Sequence, residues 1–340
     1  MSYVDRVKWR LGYEIGQTRK QTADLFWSVT GKLNKRGPKP PIKRLHADGT
    51  TDVDSFWGEH TVDTTDFKSA LQSKKHLVWR ASLYPLFTEF MNLYGNHDGQ
   101  VVLDYGCGPG NDLVGYSIYT NAKKIIGIDI SQKALQMAQH RLSLHDVAPE
   151  RIELIHSADT ATTIPLADES VDYLQCLGVL HHSSNPEALL REFHRVLRPG
   201  AEARVMVYNR DSVWVHLYAA YEKLILQGLF PGQTVHEVFH RTVDVDDDGT
   251  GNCPVARCHN WAEFLQTCAA NGFRGEYLGG YHSDVELSSI AKHLQPALKD
   301  ERLASEHRAF LRELTFDAQG FPLFEGKHAG LGGVYRLFKT

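Results

Sequence analysis

The chain has 340 residues, 42% of them hydrophobic and 23% charged, with a formal net charge of -4 at pH 7 and a mean hydropathy of -0.34. That is enough apolar material for a full core, yet no apolar run reaches the ~18 residues of a membrane span. Five cysteines without paired spacing argue against a disulfide-held scaffold, and with no charged-then-apolar leader the expected location is the cytoplasm, with reduced thiols.

Charge is unevenly placed. Up to Arg44, eleven Lys or Arg stand against Asp5, Glu14 and Asp24, about +8, so the remainder carries about -12. Trp9, Tyr13, Leu25, Phe26 and Val29 give this arm an apolar helical face, expected to dock on the domain rather than on nucleic acid or a membrane. The stretch RGPKPPIKR, ending at Arg44, is expected to be an irregular, solvated linker, because proline fixes φ and removes a donor. Residues 1–68 thus form an extension and linker, in which Phe56, Trp57 and His60 either cover a ligand or dock the extension on the core. From Ser69 to Tyr94 the spacing of Leu83, Leu86, Phe87, Phe90 and Met91 predicts an amphipathic helix kinked at Pro85, opening a domain over 69–340.

The run VVLDYGCGPG (Val101–Gly110) is an apolar strand that ends in Asp104 and then in glycines at alternate positions, a backbone suited to turning sharply against a ligand. It is not a dinucleotide loop, since Asn111 stands where that motif needs glycine, and the Walker lysine is missing. A second buried strand, IIGIDIS, ends in Asp129 at the spacing of an acid that accepts both ribose hydroxyls. SADT, with Asp159, and the fourth strand with its loop, VDYLQCLGVLHH, follow. Leu189, Leu190, Phe193, Val196 and Leu197 then share one face of a helix stopped by Pro199-Gly200. The fifth strand is RVMVYN (Arg204–Asn209). Farther on, Asn260 and Glu263 cap a helix whose stripe is Trp261, Phe264, Leu265, Cys268 and Ala269, and EYLGGY and GGVYRLFK are the sixth and seventh strands. Insertions at about 211–258 and 283–332 interrupt the plan, and segments that long usually carry function.

From Val101 to Asn209 these motifs resemble the class I (seven-stranded, Rossmann-like) S-adenosylmethionine (SAM) dependent methyltransferases of small-molecule type. The resemblance implies an α/β fold, a seven-stranded mostly parallel doubly wound sheet, here with a helical N-terminal extension and helical insertions. It implies SAM as cofactor, held by Asp104, Gly106, Cys107, Gly108 and Asn111 of the first loop, Asp129 and Ile130 after the second strand, Asp159 and Thr160 after the third, and Leu177. His182, with His181 beside it, is the candidate general base, with a pKa suited to the task; the competing reading has His182 ordering its loop while Asn185 caps the next helix. Tyr208, Asn209 and Arg210 are candidates for orienting the acceptor. The aromatic and histidine-rich first insertion (Trp214, His216, Tyr218, Tyr221, Phe230, His236, Phe239, His240) is an acceptor lid, His216 included among its contacts, or else a satellite bundle.

The expected reaction is methyl transfer to oxygen or nitrogen of a small polar metabolite. The alternatives are an RNA or protein methyltransferase gripping its substrate with the basic arm, or a SAM-binding protein without catalysis. The acidic remainder disfavours nucleic acid, and a homodimer is compatible with the chain. Two metal readings fail on ligand count: Asp244–Gly249 opens like a calcium loop, but its twelfth position is Val255, and Cys253, Cys258 and His259 lack a fourth zinc ligand. No metal is expected.

Overall fold

A computed structural model describes residues 37–44, 51–63, 65–161, 163–244 and 253–340. The expected N-terminal helix, and residues 245–252 of the calcium-like loop, lie outside the described residues. Among these residues no helix is long and apolar enough to cross a membrane.

Strand β1 (Ile42–Arg44) occupies the stretch expected to be irregular. It pairs in parallel with a later strand, Ile42 opposite Leu154, at the edge of the sheet. Pro40 and Pro41 precede it, where their missing donors cost no ladder bond. Its approach is tied down by Gly37 N–H on Ser143 O at 2.7 Å and by Gln139 Nε2 on Pro40 O at 2.7 Å. Next come α1 (Asp52–Glu59), begun by a capping box between Thr51 and Asp54, α2 (Ala70–Leu83) and the short α3 (Phe87–Phe90). Pro85 separates α2 from α3 rather than kinking one helix, and Leu86 after it is left-handed at φ 71°.

The central strands β2 (Val101–Tyr105), β3 (Lys124–Asp129), β4 (Ile152–His156) and β5 (Val171–Leu177) are near-continuous apolar runs, because helices cover both faces of a parallel sheet. Helices α4 (Asn111–Tyr119), α5 (Gln132–Ser143) and α6 (Pro186–Val196) make the crossovers. In α6, Leu189, Leu190, Phe193 and Val196 are the buried positions, as the spacing predicts, while Asn185 occupies the N-cap without a side-chain cap bond. β6 (Leu197–Asn209) runs longer than its apolar stretch.

After β6 come a π-helix (Trp214–Leu226), α7 (Val235–Thr242), the two-residue β7 (Cys258–His259) and α8 (Trp261–Ala270), whose Asn260 cap accepts from the amides of Ala262 and Glu263. Strand β8 (Phe273–Tyr281), helices α9 (Asp284–Lys299) and α10 (Ser305–Glu313), the small strands β9 (Thr315–Phe316), β10 (Pro322–Phe324) and β11 (Lys327–His328), and β12 (Gly332–Lys339) complete the chain.

The main sheet runs β1-β4-β3-β2-β5-β6-β12-β8, with β7 added beside β6. Seven of these are the expected strands, and β12 is antiparallel to both neighbours; β1 and β7 extend the sheet to nine. The order reverses between β2 and β5, and ligands of open α/β sheets bind outside the carboxyl ends at such a switch point. The two insertions, distant in sequence, share one core: Val213, Leu217 and Tyr221 of the first pack with Ile290, Phe310 and Leu311 of the second.

Candidate functional site

The switch point is built from the loop after β2. Gly106 and Cys107 donate their amides to Ile128 O at 2.7 and 3.0 Å, which folds the loop back on β3. Gly106 has φ 77°, and a Cβ there would lie 2.0 Å from Val179 Cγ2, so only glycine fits. Gly108, at φ 52°, faces the opposite situation: a Cβ would meet nothing within 4 Å. Its flank is open space that a ligand can occupy.

Asp129 ends β3 against this loop. Oδ2 accepts from Gly108 N at 2.7 Å and Oδ1 from Ser131 N at 2.7 Å, so two backbone amides hold the carboxyl in place. Burial pushes its pKa up, and the amides pull it back toward the charged form. The adjacent Ile130 offers its carbonyl to His156 Nε2 at 3.0 Å. Asp159, after β4, accepts with Oδ1 from Ser184 N at 3.1 Å and Ser183 Oγ at 3.2 Å, whereas Oδ2 is buried without a hydrogen-bond partner among the described residues. An orphaned carboxylate oxygen is costly unless something binds it. Thr160, next in the same turn, is exposed, and Leu177, half-buried, closes the end of β5.

Asp104 is buried and accepts weakly from Gln175 Nε2 at 3.4 Å; burial, then the charge of Asp112, raise its pKa well above the usual carboxylate range. It borders a network that the sequence reading missed. Gln175 Nε2 also donates to Asp112 Oδ2 at 2.9 Å, Tyr116 OH donates to Gln175 Oε1 at 2.6 Å, and Arg80 Nη1 of α2 reaches Asp112 Oδ1 at 2.7 Å. A glutamine inside the apolar run VDYLQCL was the available signal; nothing local pointed to Arg80. Asn111 is drawn into a second network, donating to Asp63 Oδ2 at 3.2 Å and accepting from Arg141. Cys107 is buried, which pushes its thiol up and leaves it unreactive.

Helix α1 lies across the acid end of the site. Asp54 Oδ1 accepts from Asp159 N at 2.8 Å, and the Trp57 ring meets His182 edge-on with centroids 5.0 Å apart. His60 is stacked on Phe56 within the same helix turn. Of the two readings for this segment, the geometry supplies contact with both an acid of the site and the loop after β5.

The expected base pair is arranged otherwise than a base requires. His181 is fully buried, and desolvation holds it neutral far below its ordinary value. His182 is buried too; Nδ1 lies 2.6 Å from Val255 O, Nε2 faces Asp244 Oδ2 at 3.4 Å, and Cys253 Sγ lies 3.4 Å from Nδ1. Both nitrogens are therefore turned to the first insertion. Arg257 strengthens the same junction, its amide on His181 O at 3.1 Å and its Nη1 on Ser183 O at 2.6 Å.

The acceptor candidates are also spoken for. Tyr208 OH donates to Asp244 Oδ1 at 2.7 Å. Asn209 is buried and bonded to Asp211 O and Gly330 O, and Arg210 turns outward to Glu263 at 3.4 Å. His216 lies in the core shared by the insertions, its Nδ1 2.9 Å from His307 Nδ1 and its ring stacked on Phe310; burial lowers its pKa to about 3. It joins the insertions to each other. Cys258 and His259 form β7, while Cys253 sits with His182 and Asp244, so the three do not act as one ligand set.

Residues 103–205 match a family model described as a methyltransferase domain. Over 118 residues the chain is 37% identical to an uncharacterized 37.1 kDa protein in transposon TN4556 of Streptomyces fradiae, covering 34% of this chain and 32% of that one. Over 128 residues it is 29% identical to a ubiquinone biosynthesis O-methyltransferase of Chromobacterium violaceum, covering 38% and 53%. The matches thus span about a third to a half of these relatives' length. Among solved structures, the YcgJ protein of Bacillus subtilis is similar at 18% identity and TM-score 0.45, covering 75% of this chain and 97% of that one.

Proposed function

We propose that this chain, whose residues 103–205 match a methyltransferase domain, uses SAM to transfer a methyl group to oxygen or nitrogen of a small polar metabolite. The carrying observation is Asp159 Oδ2, buried without a hydrogen-bond partner among the described residues, at the same carboxyl edge of the sheet as the open flank of Gly108 and the amide-held carboxyl of Asp129. Those features fit SAM. Asp129 would accept from the ribose hydroxyls and Asp159 Oδ2 from the adenine amino group; Gly108 lets the backbone come close, Gly106 and Cys107 fold the loop back on β3, and Asp104 and Asn111 would serve the methionine end. Ile130, Thr160 and Leu177 border the same crevice.

SAM, when bound, supplies a methyl group already activated on a sulfonium. The protein's task is then chiefly alignment, worth up to ~7–11 kcal/mol. We assign His182 to holding the first insertion over the acceptor side, because both of its nitrogens meet insertion residues. The insertions stand over the carboxyl end of β6, where Tyr208 and Asn209 end the strand, and they exclude water from the acceptor. The ubiquinone O-methyltransferase relative supports oxygen as the methylated atom. Incubating the protein with isotopically labelled SAM and a metabolite extract tests this reading: a small molecule gaining the labelled methyl supports it, and label found only in RNA or protein overturns it.

A further inference from the structure

We infer that His182, Asp244 and Cys253 form a site for a divalent transition metal of the zinc class, which clamps the first insertion to the loop after β5. Their ligand atoms all lie within 4.8 Å of one another, although Cys253 is far from His182 in sequence. The donor set of imidazole, carboxylate and thiolate suits zinc, and would leave the bound ion charge-neutral.

Three details favour a cation over an ordinary hydrogen-bonded cluster. His182 Nδ1 lies 2.6 Å from Val255 O, so that nitrogen carries a proton, and in the neutral ring Nε2 keeps its lone pair. That lone pair faces Asp244 Oδ2, which is buried and has no hydrogen-bond partner among the described residues. Two facing lone pairs repel unless a second ring proton or a metal ion sits between them. The separation is 3.4 Å, longer than a normal hydrogen bond but the distance expected between two tetrahedral ligands with bonds of ~2.0–2.2 Å.

Neighbouring groups orient the ligands as outer partners do in metal sites. Tyr208 OH donates to the other oxygen of Asp244 at 2.7 Å, and Val255 O holds the imidazole. In the metal-free protein the Cys253 thiol donates to the same carbonyl at 3.2 Å, a bond that its deprotonation on metal binding gives up. With three protein ligands, the fourth position is left to water. Since Asp244 and Cys253 belong to the insertion and His182 to the core, the ion would pin the lid in place.

The test is metal binding by the full chain, stripped with a chelator and titrated with zinc or cobalt(II) alone. Wild-type protein is expected to take up zinc in stoichiometric amount and to melt at a higher temperature with it. Asp244→Asn and Cys253→Ser are expected to lose at least tenfold in zinc affinity, with S-adenosylhomocysteine binding retained as the check that they fold. Cobalt-loaded wild type is expected to show a thiolate-to-metal charge-transfer band that Cys253→Ser lacks, and this spectrum on wild type alone decides the matter if the variants do not fold. Zinc bound no more tightly by wild type than by the variants, or a cobalt spectrum without the thiolate band, would overturn the site.

Discussion

Asp129 holds the loop in the free protein and, in the proposed function, the ribose as well; substituting it separates the two roles. In the free protein its oxygens accept from the Gly108 and Ser131 amides, each at 2.7 Å. Asp129→Ala leaves both part-buried amides without their acceptor, at up to ~1–3 kcal/mol each, so folding stability falls by up to ~2–6 kcal/mol. That is a large part of a typical domain total of ~5–15 kcal/mol. Asp129→Asn keeps the shape and one acceptor, so it loses about half as much and is the better variant for binding. On the cofactor side, two ribose hydroxyls donating to a carboxylate contribute ~1.5–3 kcal/mol each. At ~1.4 kcal/mol per decade, Ala weakens SAM binding by ~10²–10⁴-fold and Asn by about tenfold or more. Urea unfolding without ligand measures the first effect, and calorimetry with S-adenosylhomocysteine measures the second. A folded Asn variant that binds with parental affinity would refute the ribose assignment; unchanged urea midpoints in both variants would refute the structural role.

The glycine loop offers a paired contrast. Gly108→Ala puts a methyl where nothing lies within 4 Å, so it costs only the left-handed strain, ~1–2 kcal/mol, while filling ligand space: it should fold and fail to bind S-adenosylhomocysteine. Gly106→Ala drives a Cβ to 2.0 Å from Val179 Cγ2 and should unfold at clearly lower urea than Gly108→Ala; the reverse order would contradict the loop geometry. Glu286, fully buried at the start of α9, has its pKa raised by desolvation to about 7 from 4.5. Between those values the native state holds a proton that the unfolded chain releases, so stability falls as pH rises from 4.5 to about 7. Glu286→Gln should flatten that slope in urea titrations across the window, and an unaltered slope would show that another group causes it. His182→Ala should cut turnover while leaving S-adenosylhomocysteine affinity nearly unchanged and speeding proteolysis within the first insertion; parental turnover together with parental protease resistance would sink the anchoring role.

What was legible in the sequence is what depends on neighbours along the chain. Strands β2, β3 and β5 declared themselves by apolar runs ending in acid or glycine, β6 by the run RVMVYN, α6 and α8 by helical spacing and the Asn260 cap, and Asp129 and Asp159 by their place after strands, because turn chemistry and periodicity are local signals. The same logic misled at Arg36–Arg44, where proline composition hid β1: an edge strand needs only a neighbour's free edge, and β4 provided it. At His182 it left a base and a loop-ordering role both open, since what an imidazole does depends on what its nitrogens face. Asp244, Cys253 and Val255 come to that ring from across the first insertion, as Arg80 comes from α2 to Asp112, and His216 meets His307 from the other insertion. Such partners are chosen when the sheet closes and two distant inserts bury one shared apolar core, and burial then sets which groups are charged. The strand plan, and the place of Asp129 and Asp159 at strand ends, could be read along the chain; which polar side chains hold the insertions together was settled only on folding, because those contacts join segments with no local pattern in common.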